Sequence, residues 1–156
     1  SEVAIVIGYL AGGIIRGLAV AMVVTFIALF FTQINIKHPL MTIFVIIMTA
    51  GVFSLAGLIN AIFAKKFDDI AVIPSFVLAP LTYLGGVFYT VNLLPEFWQT
   101  LSRFNPILYM VNSMRYSVIG ISDVSIQNAL MMIVVFFIVL FSIAVILLRK
   151  GIGIRQ

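Results

Sequence analysis

Apolar runs without a single charge, each long enough to cross a bilayer, constrain this chain more than any other feature. A spanning helix needs about 20 mostly apolar residues, because the hydrocarbon layer is about 30 Å thick and each helical residue rises about 1.5 Å. Four stretches meet that length. Gly17–Ile36 lies between Arg16 and Lys37. Pro39–Ala64, with a span over about 40–64, lies between Lys37-His38 and Lys65-Lys66. The third follows Asp69 and covers about 70–89. The fourth lies between Asp123 and Arg149, over about 127–148. The expected fold is all-α: a polytopic integral membrane helix bundle, with four transmembrane helices plus short re-entrant or interfacial helices. Composition agrees. At 63% hydrophobic and 9% charged residues, a 156-residue chain carries more apolar surface than a water-soluble sphere of that size can hide.

The net charge of +4 does not point to nucleic acid. The basic residues stand singly or in pairs at the ends of apolar runs, where they mark membrane sidedness, and no nucleic-acid partner is expected. The chain has no Cys and one His, His38, which reads as a short-loop residue. A thiol nucleophile, a disulfide and a Cys or His-rich metal centre are therefore excluded. The four spans carry no ionisable residue in their middle, where proton relays and intramembrane proteases place theirs. Asp68 and Asp69 sit together in a loop, and no GxxxxGKS or GxxxxGKT phosphate loop is present. Catalytic, cofactor and metal sites are all expected to be none. If the chain transports something, its energy has to come from another subunit.

Two apolar stretches fail as independent spans. Val3–Ile15 is too short before Arg16, and reads as an interfacial helix or an extension of the first span. It carries Gly8/Gly12 and Gly13/Gly17 at the GxxxG spacing that lets helices approach closely in lipid. Residues 92–120 are interrupted by Glu96, Arg103 and Arg115. Here Phe97, Leu101 and Phe104 recur at helical spacing, and Asn105-Pro106 is an N-cap followed by Pro at the first helical position. Two short helices are expected, Glu96–Phe104 and Pro106–Tyr116, lying in the interface or dipping into the membrane. The stripe Phe97, Leu101 and Phe104 is expected to pack on the span ends. Trp98, Tyr109 and Tyr116 suit headgroup depth. The third span contains Pro74, Pro80 and Gly85-Gly86 and should be broken. Asn60, inside the second, reads as helix–helix glue.

Four spans place both chain ends on one face. That face collects Arg16, Lys65, Lys66, Arg149, Lys150 and Arg155, against Lys37, Arg103 and Arg115 on the other. The positive-inside rule then puts both termini and the Lys65–Asp69 loop in the cytoplasm and the 92–120 hairpin outside.

Three segments in this order resemble the membrane permease of type-2 ATP-binding-cassette transporters, a family of polysaccharide, lipid and drug exporters, and in particular its bacterial inner-membrane members. The first is Gly12-Gly13-Ile14-Ile15-Arg16-Gly17. The second is Pro80-Leu81-Thr82-Tyr83-Leu84-Gly85-Gly86-Val87-Phe88-Tyr89, followed by Leu94-Pro95. The third runs from Asn105-Pro106-Ile107-Leu108-Tyr109 through Asn112-Ser113-Met114-Arg115-Tyr116 to Gly120. The likeness covers essentially the whole chain.

The resemblance implies a non-enzymatic permease subunit of an ATP-driven exporter, paired with a second permease copy as a homodimer and powered by a separate cytoplasmic ATPase. Members of that family have six spans, so residues 1–156 read as one permease domain fragment holding the last four, which agrees with the Ser1 start. Contact with the ATPase is expected at Gly12, Gly13, Arg16, Lys65, Lys66, Asp68 and Asp69. An outer gate is expected at Phe97, Leu101, Phe104, Asn105, Pro106, Tyr109 and Arg115, against the alternative of a passive lid. A secondary carrier and a non-transporting membrane scaffold are the competing classes.

Overall fold

A computed structural model describes residues 1–152. Every regular element in that range is helical. Helix α1 covers Glu2–Ala28, α2 Pro39–Phe63 and α7 Ile126–Arg149; these three are long and apolar enough to cross a membrane. Between α2 and α7 come α3 (Phe67–Ile73), a π-helical turn (Pro74–Leu78), α4 (Ala79–Tyr83), a 3₁₀ turn (Val91–Leu93), α5 (Glu96–Arg103) and α6 (Pro106–Ile119).

The second and fourth expected spans coincide with α2 and α7. The other two differ. The first span is not 17–36 but begins at Glu2, runs unbroken through Arg16 and stops at Ala28. Val3–Ile15 is thus the span's extension, and Arg16 stands in the middle of a helix rather than at its end. Helix α1 is about 40 Å long at about 1.5 Å per residue. Its Cα–Cβ bonds lean toward the N-terminus, so the Arg16 stem leads its guanidinium in that direction. The third span is broken, as its prolines lead one to expect, but does not extend over all of 70–89. Its helical path ends at Tyr83, after 17 residues from Phe67, about 25 Å of rise. Two prolines set its shape. Pro74 and Pro80 have no N–H to donate, and the turn between them is wound wide, with the Ala79 amide reaching back to the Pro74 carbonyl.

The core is made where α1, α2 and α7 meet. Val6 and Leu10 of α1, Leu55 and Leu58 of α2, and Ala144, Val145 and Leu148 of α7 form one buried cluster. Closer to the other end, Val52, Met110 and Ile133 join α2, α6 and α7. Gly13 and Gly17 let α1 lie directly on α2. A Cβ at Gly13 would run into the Ser54 side chain, and one at Gly17 would stand 2.6 Å from the Ala50 Cβ. Gly8 and Gly12 face open space. The remaining surface of α1 is exposed and, Arg16 and Thr25 apart, largely apolar, as a lipid-facing helix requires.

Candidate functional site

The site is the re-entrant α5–α6 hairpin together with the broken helix beside it. Its position follows from depth. The C-terminal turn of α6 sits at the α1–α2 connection: the backbone N–H groups of Lys37 and His38 donate to the carbonyls of Val118 (3.1 Å) and Ser117 (2.9 Å). Those carbonyls have no partner within their own helix, so the neighbouring chain completes the C-terminus. Thr42 donates to the Ser117 hydroxyl at 3.0 Å, and the His38 and Tyr116 rings stack. From there α6 runs inward for 14 residues, about 20 Å, so that Met110 meets Val52 in the middle of α2. Of the two expected placements, the hairpin adopts the one that dips into the bundle.

Asn105 makes the turn at the deep end. It is 3% exposed. Its Oδ1 accepts from the Ile107 N–H at 3.0 Å, with Pro106 at the first helical position, as the sequence expects. Its Nδ2 donates to the carbonyl of Leu81, near the end of α4. One side chain therefore caps α6 and holds the broken helix.

A polar belt fixes the shallow end. Arg115 Nη1 pairs with Asp123 at 3.2 Å, and its Nη2 donates to the Gly86 carbonyl at 2.6 Å. Asn112 Oδ1 accepts from the Asp123 N–H at 2.8 Å and from the Ser122 hydroxyl. The chain leaves α6 through Gly120, whose φ of +81° is left-handed and whose hydrogen faces the Lys37 stem. Sequence reasoning put Arg115 at the outer gate but gave Asn112, Asp123 and Gly86 no place there, since nothing local pairs residues on separate turns.

Helix α5 is held more loosely. Tyr109 donates to the Arg103 carbonyl at 2.6 Å, and Gln99 to the Leu94 carbonyl at 2.8 Å. The stripe expected to pack on the span ends does not do so: Phe97 is 70%, Leu101 43% and Phe104 78% exposed. An apolar helical stripe avoids water, and in a membrane protein lipid satisfies that demand as well as a helix does.

The expected ATPase-contact residues are not gathered in one place. Lys65, Lys66, Asp68 and Asp69 form an exposed turn between α2 and α3, where the Asp69 carboxylate accepts from the N–H groups of Lys65 (3.1 Å) and Lys66 (2.9 Å). Gly12, Gly13 and Arg16 lie mid-helix. Gly13 stands opposite Ser54, about 16 Å along α2 from Lys65. Asn60 behaves as helix glue: its Nδ2 donates to the Ile70 carbonyl at 2.9 Å, across from α2 to α3.

Long apolar helices around a re-entrant, internally capped hairpin define a multi-pass membrane protein. The sequence profile of the ABC-2 type transporter family matches residues 1–119, and the chain belongs to that family. It is 48% identical over 152 residues to the inner membrane transport permease YadH of Escherichia coli K12, covering 97% of this chain and 59% of that protein. It is 24% identical over 106 residues to nodulation protein J of Rhizobium leguminosarum bv. trifolii, covering 68% of this chain and 40% of that protein. The chain thus spans about three fifths of the length of its 48%-identical relative. No solved structure matches it.

Proposed function

We propose that the chain is the permease part of an ATP-driven exporter in a bacterial inner membrane, working as a homodimer with a separate cytoplasmic ATPase. Membership of the ABC-2 family carries this reading, and the likeness to an inner-membrane transport permease supports it. The sequence supplies no phosphate-binding loop of its own. Lys65 and Lys66 cluster at one end of the bundle and Arg149 and Lys150 end the last span; by the positive-inside rule we assign that end and both termini to the cytoplasm. Arg155, counted on the same side, lies outside the described residues. The α5–α6 hairpin then enters from the outer face and forms the rim or gate of the export path. The contact with the ATPase is made by the Lys65–Asp69 turn and the first turns of α1; Gly12, Gly13 and Arg16 stand too deep along α1 to share it.

The test uses the full-length protein expressed with the ATPase encoded beside it. The permease alone is expected to hydrolyse no ATP, and the complex to do so. Lys65→Glu with Lys66→Glu is expected to weaken their association. A Cys at position 66 is expected to react with a membrane-impermeant thiol reagent only from the cytoplasmic side, and one at position 99 only from outside. Transport that persists without ATPase and stops with an uncoupler identifies a secondary carrier and sinks the proposal. Labelling of position 66 from outside overturns the sidedness.

A further inference from the structure

Two side-chain hydrogen bonds from other helices reach the helical path Phe67–Tyr83, and each comes from an asparagine. Pro74 cannot donate the hydrogen bond that residue 74 owes to the Ile70 carbonyl four residues back. Asn60 of α2 supplies the missing donor at 2.9 Å. At the other end the Leu81 carbonyl takes its donor from Asn105. Between these points the path packs lightly: no residue of α3, the π-turn or α4 is fully buried. Behind it lies an apolar cavity of about 300 Å³, bounded by Ile73, Val77 and Leu78 on the path and by Phe53, Met110 and Phe136 opposite. A lightly packed helix beside a cavity has room to move that a buried helix lacks.

The two attachments are not equivalent. Asn105 is nine-tenths buried and more, and the same side chain caps α6, so its position is fixed by the hairpin. Asn60 makes one bond, to a carbonyl that only a proline has left free. Below Asn60's partner the path leads within one turn to the exposed Lys65–Asp69 loop.

We propose that residues 67–83 form a hinged arm, pivoting on Asn105 and wound loose at the π-turn between Pro74 and Pro80, with Asn60 as the latch that sets its resting position. Displacing the Lys65–Asp69 loop breaks the Asn60–Ile70 bond, moves α3 relative to α2 and opens the cavity, while the outer end stays pinned to the hairpin. Asn60 is a positioning residue: it touches no transported molecule and acts through the arm. The inference rests on the reading of the chain as an ATP-powered permease only for what drives the displacement.

The arm's position is measured with nitroxide labels on Cys introduced at Phe67 and Lys150, both exposed, in the full-length protein in lipid nanodiscs without ATPase. Asn60→Ala is expected to raise the ratio of displaced to resting arm about threefold, the factor that corresponds to an average interhelical hydrogen bond in membranes, about 0.6 kcal/mol. Pro74→Ala is expected to produce the same shift, because residue 74 then donates to Ile70 within the arm and takes the acceptor from Asn60, and combining it with Asn60→Ala is expected to add nothing. If Asn60→Ala fails to assemble, the comparison is made in the Pro74→Ala background, where adding it is expected to change nothing. An unchanged distribution in Asn60→Ala, or a further shift when the two substitutions are combined, overturns the hinge. Coupled to the ATPase, Pro74→Ala alone is expected to keep assembly and lose transport. Distances that behave as stated, with no ATP-dependent transport by any variant or by the parent, keep the hinge and discard the exporter.

Discussion

Replacing Asn105 by Ala removes two bonds of different kinds, and their sizes are separable. The bond from the Ile107 N–H to Oδ1 is a helix N-cap, worth about 1 kcal/mol. The bond from Nδ2 to the Leu81 carbonyl joins two separate helical segments inside the membrane, where such bonds average about 0.6 kcal/mol. At 3% exposure no water replaces either one. Their sum is about 1.6 kcal/mol, a factor of about 15 in the folding equilibrium. Asn105→Ser splits the sum: a serine hydroxyl accepts at an N-cap but is too short to reach Leu81, so its cost is about 0.6 kcal/mol. The assay is reversible unfolding of the full-length protein in mixed dodecyl sulfate and maltoside micelles, followed by circular dichroism. If Asn105→Ala changes stability by less than about 0.3 kcal/mol, or if Ser costs as much as Ala, the double role assigned to this side chain is refuted.

The α1–α2 contact gives an internal contrast: Gly17→Val is expected to destabilise by about 2 kcal/mol because its Cβ meets Ala50, whereas Gly12→Ala, facing open space, is expected to be neutral or slightly stabilising in the same assay. At the polar belt, Asp123 is 7% exposed, so Arg115→Ala and Asp123→Ala are each expected to cost about 2 kcal/mol and to be strongly non-additive in a double-mutant cycle. Arg115→Lys is expected not to rescue, since one ammonium does not provide the two separated donors that reach Asp123 and Gly86.

What the sequence reveals and what it hides divide along a physical line. Pro39 opening α2, the Asn105-Pro106 break in the hairpin and the disruption of the third span are local events, written by proline's missing N–H and by a capping side chain within three residues. The extent of α1 is not local. Arg16 reads as an end marker because charge is costly in hydrocarbon, yet a long flexible stem lets it sit within a helix that continues past it. The Phe97 stripe shows the complementary failure. Its spacing identifies a helix face that shuns water, but lipid and protein are equally dry, so periodicity cannot say which of them that face meets. Asn60 was legible as glue; that its target is the carbonyl stranded by Pro74 required the register of α2 against α3. The partners of Arg115 were hidden for the same reason, being set by tertiary placement alone.

The seating of α6 also dictates an order of assembly. At 14 residues it is too short to cross the bilayer, and it buries Asn112, Ser113 and Ser117, which cannot be left against lipid tails. One wall of its seat, the start of α2 with the free N–H groups of Lys37 and His38, is synthesised before it. The other wall, α7, leaves the ribosome afterwards, with only five residues between Gly120 and Ile126 to turn the chain around. Until α7 is threaded, a helix of this length with these polar residues is expected to rest in the headgroup layer. Chain order then makes the seating of α6 a re-entry from the surface, expected to follow the insertion of α7.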